Sequence, residues 1–463
     1  MSSILRRLAG AAISAVVIAT AGVSAHAETL TDALIAAYKN SNLLDQNRAL
    51  LRAADEDVAI AVSQLRPIIE FALNGTYSDG NDKAVRVSPL GRYSASSAAS
   101  LTASLILFDN GRNRMAIDAA KENVLATRAL LIGVEQNVLL NAVQAYMDVF
   151  AALESVTVAE NNVRVLTTAL QATRDRFEVG EVTRTDVSLA ESRLAASRSN
   201  LVSARGDLAT AREFYKLAVG HYPEQISGIP SLPDLPKSVD AAREIAVRTH
   251  PDIMQAQHNV SAAEVNLARA KADYGPRLIG EVGVSAEDDG AQYSSVDLTL
   301  SQTLYRGGGL YAAERQARAD VQQSRAVLLQ TVRTVEQGVG NAWAGLAVAR
   351  AQVDATATQV QASQLAFEGT VEEARLGART TLDVLDAEQD VLDARTAQIQ
   401  AQADQYTAVY AILASVGLLT ADHLGLGIPT YDPRAYYNAV SHAPAKSVQG
   451  RRLDKVLDRI GRE

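Results

Sequence analysis

Apolar positions along this chain switch between two periods, and the switch happens twice. From Thr29 to Leu65 they recur at helical spacing, with Leu30, Leu34 and Ala37 on one face. Residues 40–42 interrupt that helical pattern and Pro67 stops it. From Ile68 the period is two: Ile69, Phe71, Leu73 and Tyr77 point one way, and Glu70, Asn74, Thr76 and Ser78 the other. A polar loop over 79–92 holds Gly80, Pro89 and Gly91, after which alternation resumes with Leu101, Ala103, Leu105 and Leu107 opposite Ser100, Thr102 and Ser104. The pattern predicts a β-hairpin of strands 68–78 and 93–107, with one apolar and one small-polar face. Each strand reaches the roughly 9–11 residues that a tilted strand needs to cross a bilayer.

After Phe108-Asp109-Asn110-Gly111 the helical period returns and runs unbroken to Gly180. Its second half carries a heptad seam that includes Val149, Val156, Val163, Leu170 and Phe177. Beyond Gly180 a return helix carries Val187, Leu194, Leu201, Leu208 and Tyr215, so 111–220 reads as a long antiparallel helical hairpin ended by Gly220 and Pro223. A linker over 225–238 contains Pro230, Pro233 and Pro236. Then everything recurs: a helical stretch broken near His250-Pro251, Pro276, strands expected over 278–286 and 295–305, and a second long hairpin over 309–417.

The recurrence is a duplication in register. Residues 108–112 match 305–309, and the seam residues Leu346, Val353, Val360, Phe367 and Ala374 fall 197 positions after their counterparts. The two helix reversals align as well: Gly180 with Gly377, Thr183 with Thr380, Asp186 with Asp383, Glu191 with Glu388. Pro67 and Pro276 pair instead at an offset of 209, so the first β-hairpin is the longer by 12. The expected units are a leader over 1–27, repeats over 28–224 and 239–420, the 225–238 linker and a tail over 421–463.

Composition narrows the function. Arg6 and Arg7, an apolar run from Leu8 to Val23 and Ala25-His26-Ala27 form a secretory leader, with a retained anchor as the alternative. No later run is long and apolar enough for a membrane helix. The chain has no cysteine, which excludes disulfides, thiolate metal sites and thiol catalysis. A net charge of −9 argues against a nucleic-acid partner. His221, His250, His258, His423 and His442 show neither metal-ligand nor triad spacing, so no enzyme and no cofactor is expected.

Two hairpins supply four strands, which cannot close, and an open edge is not tolerated in hydrocarbon. Two copies would give about eight strands with a plugged interior and three copies twelve, enough for a pore. Inward Ser, Thr, Asn, Asp and Glu suit water, so a homotrimer is expected. The competing readings are a soluble coiled-coil protein and a periplasmic adaptor with a helical hairpin.

The tips R-F-E-V-G-E-V-T-R-T-D-V at 176–187 and R-L-G-A-R-T-T-L-D-V-L-D-A at 375–387, the junction L-F-D-N-G-R at 107–112 and Tyr431-Asp432-Pro433 carry a resemblance to the TolC-like outer membrane factor family, over about 29–437. The resemblance implies a mainly α fold with a membrane β-barrel, in which a trimer builds a 12-stranded barrel in outer membrane lipid and a periplasmic helical tunnel. It also implies partners: a periplasmic adaptor protein and an inner-membrane ABC or RND-type transporter, for type I protein secretion or multidrug efflux. By motif position, Arg379 is the gate arginine, Asp186 its acidic partner with Thr185 beside it, and Asp383 and Asp386 form acidic rings at the entrance. The adaptor contact is expected at Val179, Gly180 and Glu181 and at Leu376, Gly377 and Ala378. Ala374 stands where the family can place a gate tyrosine. The plain alternative is that these charges are solvated helix starts and these glycines only reverse the chain.

Overall fold

The computed structural model describes residues 27–79, 93–229, 231–442 and Lys455. The expected leader, apart from Ala27, most of the expected first hairpin loop and most of the charged end lie outside these residues.

Each repeat opens with a pair of short helices: α1 (Leu30–Asn40) and α2 (Asn42–Ser63), then α5 (Val239–Thr249) and α6 (Pro251–Ala272). Local chemistry sets the breaks. Thr29 and Asp32 form a capping box at the start of α1, and Ser41 then caps α2 by accepting from Leu44 N. In the second repeat Pro251 occupies the first turn of α6, where its missing N–H costs nothing, and His250 Nδ1 accepts from Asp252 N.

The strands β1 (Ile68–Asp79), β2 (Tyr93–Phe108), β3 (Arg277–Glu287) and β4 (Gln292–Ser301) form one antiparallel sheet in the order β1-β2-β3-β4. Register places Ile69, Ala103, Val282 and Val296 in one row and Ser104, Glu281 and Asp297 in another. One face is therefore apolar and exposed, with Phe71, Val284, Leu298 and Leu300 each at least half accessible. The last strand ends at Ser301 rather than near 305 as the alternation suggests. Its ladder partner among the described residues, β3, begins at Arg277 just after Pro276, so the ladder does not continue past Ser301. Leu304 and Tyr305 stand more than four-fifths exposed.

The long helices follow as α3 (Arg112–Glu178) with α4 (Arg184–Val219), and α7 (Gly309–Arg375) with α8 (Thr381–Val416). Both first helices have 67 residues and both return helices 36. At 1.5 Å per residue, 67 residues extend for about 100 Å. Boundaries before the sheet repeat at an offset of 209 and boundaries after it at 197, so the whole 12-residue difference is confined to the first β-hairpin.

The main core lies where the short helices and the tail surround the middle of α3. Tyr146 is fully buried there, and its Oη donates among the carbonyls of Glu28, Ser227 and Gly228, the contact to Ser227 being 2.6 Å. Ala33, Ala37, Ala142 and Ala145 are each fully buried, which lets helix axes approach closely. The short α9 (Pro433–Val440) lies against α2. Asp432 caps α9, Tyr431 N donates to Tyr38 Oη, and the Arg48 guanidinium lies over both tyrosine rings. The Tyr431-Asp432-Pro433 motif is thus a helix start docked on the core.

Gly417 closes α8 with φ +85°, and a Cβ there would sit 2.9 Å from the Thr249 carbonyl oxygen and the His250 Cα. Gly206 lies inside α4 with open space around it. Gly417→Ala should destabilise by roughly 2–4 kcal/mol, from left-handed strain plus a backbone clash. Gly206→Ala should stabilise by roughly 0.5–1 kcal/mol. Far-UV circular dichroism melts of the two variants check the sign of each.

Candidate functional site

The two helix reversals share one construction. In the first, Gly180 takes φ +81°, Gly180 N donates to Phe177 O and Glu181 N reaches back to Arg176 O at 2.9 Å. In the second, Gly377 takes φ +78°, Gly377 N donates to Ala374 O and Ala378 N reaches Glu373 O at 2.9 Å. Both are the glycine-closed motif that satisfies the last carbonyls of a helix. The next helix opens on a capping box in each case: Thr183 with Asp186, and Thr380 with Asp383. These threonine bonds hold the Asp186 and Asp383 carboxyls below the usual range. Val179 and Leu376 project at the ends, 72% and 86% exposed.

The two tips differ in their ion pairs. Arg176 bonds Glu181 at 3.1 Å within the first reversal, and Arg379 bonds Glu373 at 2.8 Å within the second. Glu373, then Asp383, push the Arg379 guanidinium upward. Among the described residues, no ion pair inside one chain joins Arg379 to Asp186. Thr185 is exposed in the first turn of α4. A salt bridge from Arg193 on α4 to Asp386 on α8 joins the two hairpins. Beneath it Leu166, Leu170, Ala190, Leu194 and Leu385 form a small apolar cluster from both hairpins. No group of three His, Asp or Glu side chains is placed to hold a metal among the described residues.

A profile described as outer membrane efflux protein matches residues 34–221 and 243–418, which are the two repeats just described. The chain belongs to the outer membrane efflux protein family. It is 36% identical over 431 residues to the outer membrane efflux protein BepC of Brucella suis biovar 1 (strain 1330), covering 90% of this chain and 92% of that one. It is 24% identical over 399 residues to the outer membrane protein TolC of Escherichia coli (strain K12), covering 80% of each. Among solved structures, the Campylobacter jejuni CmeC outer membrane channel superposes with a TM-score of 0.75 at 17% identity, covering 89% of each chain. The chain is accordingly an outer membrane protein of the efflux and secretion channel class, in a family of channels rather than enzymes.

Two features of the tips escape a reading by motif. Arg193 lies outside the tip motif, and only the packing of α4 near α8 brings it to Asp386. Glu388 is the second. Its counterpart Glu191 pairs with Arg174 at 2.6 Å, but the residue 197 after Arg174 is Val371. Glu388 instead lines a cavity of about 210 Å³ with Asn162, Val165, Phe367 and Val391, and burial there pushes its carboxyl up to about 7.

A carboxyl raised above its ordinary 4.5 keeps its proton better in the folded state. Its contribution to stability is full at acid pH and declines as pH rises from about 4.5 to about 7. Hydrogen exchange of α8 amides near Glu388 should therefore quicken across that window, beyond the intrinsic pH effect. Glu388→Gln should remove the excess, and an unchanged slope in the variant would refute the assignment.

Proposed function

We propose that three copies of this chain close into a 12-stranded barrel continued by a helical tunnel, and that the assembly is a conduit from an inner-membrane transporter to the outside. The observation that carries this reading is the four-stranded sheet with an exposed apolar face and free edges at β1 and β4. An edge with unpaired N–H and C=O groups is unsustainable in hydrocarbon. Joining β4 of one copy to β1 of the next removes every edge. Two copies would enclose a side-chain-filled interior, whereas a face carrying Ser104, Thr102, Glu281, Ser295 and Asp297 suits a wet lumen.

The tips are the proposed entrance. Val179 and Leu376 are apolar, exposed and carried on rigid reversals, which suits contact with a periplasmic adaptor. Glycines 180 and 377 set the approach, with Glu181 and Ala378 beside them. Arg379 of one copy and Asp186 of its neighbour are the proposed links between subunits. The Arg193–Asp386 pair, observed within one chain, supplies a link between hairpins in the same subunit. Ala374, whose carbonyl closes the second reversal, offers no ring for a further link. The 36% identical relative is named an efflux protein, and the Tyr431-Asp432-Pro433 motif has a structural role, so export of small molecules is favoured over protein secretion.

Native mass spectrometry of protein extracted from outer membranes in mild detergent should show a trimer. Monomers or dimers alone would refute the barrel. In planar bilayers, Arg379→Ala and Asp186→Ala should each raise single-channel conductance, and no change in either would sink the proposed gate links. Asp383→Asn with Asp386→Asn should weaken block by divalent cations, because three copies of each carboxylate gather like charge around one axis.

A further inference from the structure

At the base of the sheet, where strands give way to helices, lies a cavity of about 560 Å³. Four arginines line it, Arg112, Arg269, Arg277 and Arg306, against two aspartates. Both aspartates are already engaged. Asp109 accepts from Gly111 N and Asn113 N, and Asp273 pairs with Arg112 at 3.1 Å. Among the described residues, Arg269, Arg277 and Arg306 form no ion pair. Asn113 adds a buried Nδ2 that donates to nothing. The cavity therefore carries four guanidinium groups against two carboxylates, both of them engaged by neighbours.

Its position follows from the register. Arg277 stands opposite Ser301, one place along from the Leu278–Leu300 pair of the apolar face, so both belong to the polar face. The cavity opens on that side, away from the surface that would meet lipid. The acidic Glu281–Asp297 pair sits on the same face two positions further on, past Ile279–Thr299.

Duplication provides an internal control. Arg269 and Arg277 correspond to Ile60 and Ile68 at the offset of 209, and Arg306 corresponds to Asp109 at the offset of 197. The first repeat builds the same helix end, strand start and junction with two isoleucines and an aspartate. The fold therefore does not call for arginine at these places. A cluster of like charges gathered without a structural need is repulsive and costs stability, which argues that a ligand offsets it.

We propose that this collar of guanidinium groups is a binding site for a multiply charged oxyanion, phosphate- or carboxylate-bearing, on the aqueous side of the barrel base. Guanidinium forks match the planar oxygens of such groups in paired, charge-assisted hydrogen bonds. The volume admits a ligand larger than a single phosphate. The inference rests on the trimeric barrel reading. In that assembly three collars ring the conduit below an acidic belt, so an anion entering from the tunnel meets a favourable site before an unfavourable one.

The test is isothermal titration of the intact, detergent-purified channel with inorganic pyrophosphate at low ionic strength, where charge is least screened. Wild-type protein should bind, and Arg277→Gln with Arg306→Gln should weaken binding by at least about tenfold. Absence of binding to wild type, or equal affinity in the variant, overturns the site. Arg306→Asp, restoring the residue of the first repeat, is the second variant and should also weaken binding at least about tenfold. Dihexanoyl phosphatidylglycerol should show no arginine-dependent binding; a lipid that binds as well as pyrophosphate overturns the aqueous placement. Native mass spectrometry and bilayer conductance on the same sample separate the two readings. A conducting trimer that ignores pyrophosphate refutes the collar alone, while a sample without trimer or conductance refutes the pore.

Discussion

The constraint behind this architecture is that a backbone amide in hydrocarbon must have a partner. One chain supplies a sheet whose inner strands are satisfied and whose outer strands are not. No helix among the described residues is long and apolar enough to cross a membrane. In the proposed assembly, closure through neighbouring copies would ring the strands about an axis, and each basal strand end leads into or out of a helix that would continue the wall. The junctions show how tightly this is done. Asn110, at φ +57°, and Gly111, at φ +78°, turn the chain between β2 and α3. Asn110 Nδ2 also donates to Ala272 O at the end of α6. A Cβ on Gly275 would fall 2.5 Å from that same amide, so the two junctions are fitted against each other.

Much of the fold was legible because duplication wrote it twice. The offset of 197 fixed the lengths of both long hairpins, and the prolines and turn residues fixed the starts. Alternation identified all four strands, since each shows lipid-type side chains on one face and small polar ones on the other. It overran at Leu304, because a two-residue period cannot register whether a neighbouring strand is present to bond. Heptads predicted that α3 packs with α4 and α7 with α8, but the approach of α3 to α8 came from tertiary packing.

The candidate site was legible in part. The glycines and the threonine-aspartate spacing mark both tips, and the structure explains why: each aspartate holds the first turn of its helix. Arg379 bonds its own loop within the chain, a local solution that a motif comparison does not reveal. Arg193 and Glu388 were invisible for a different reason. Their roles depend on what lies across a helix interface, and for Glu388 on the replacement of a partner arginine by Val371. The collar shows the same logic. Individual arginines carry no signal, but the comparison of the repeats exposes three positions where charge has been added to a fold that forms without it.

The anchoring of Tyr146 has a consequence for how such a chain could arise. Glu28 and Ile226 form a parallel bridge, and the buried tyrosine ties both segments to the same point on α3. The first repeat thus begins and ends at one place. A unit with adjacent ends can be joined head to tail by a short connector with little strain. In the proposed trimer six such units would surround the axis, so a ring of six single-repeat chains would be a geometrically sufficient forerunner. Holding two repeats in one chain lets them differ, as Arg306 and Asp109 do, so that charge can alternate around such a ring.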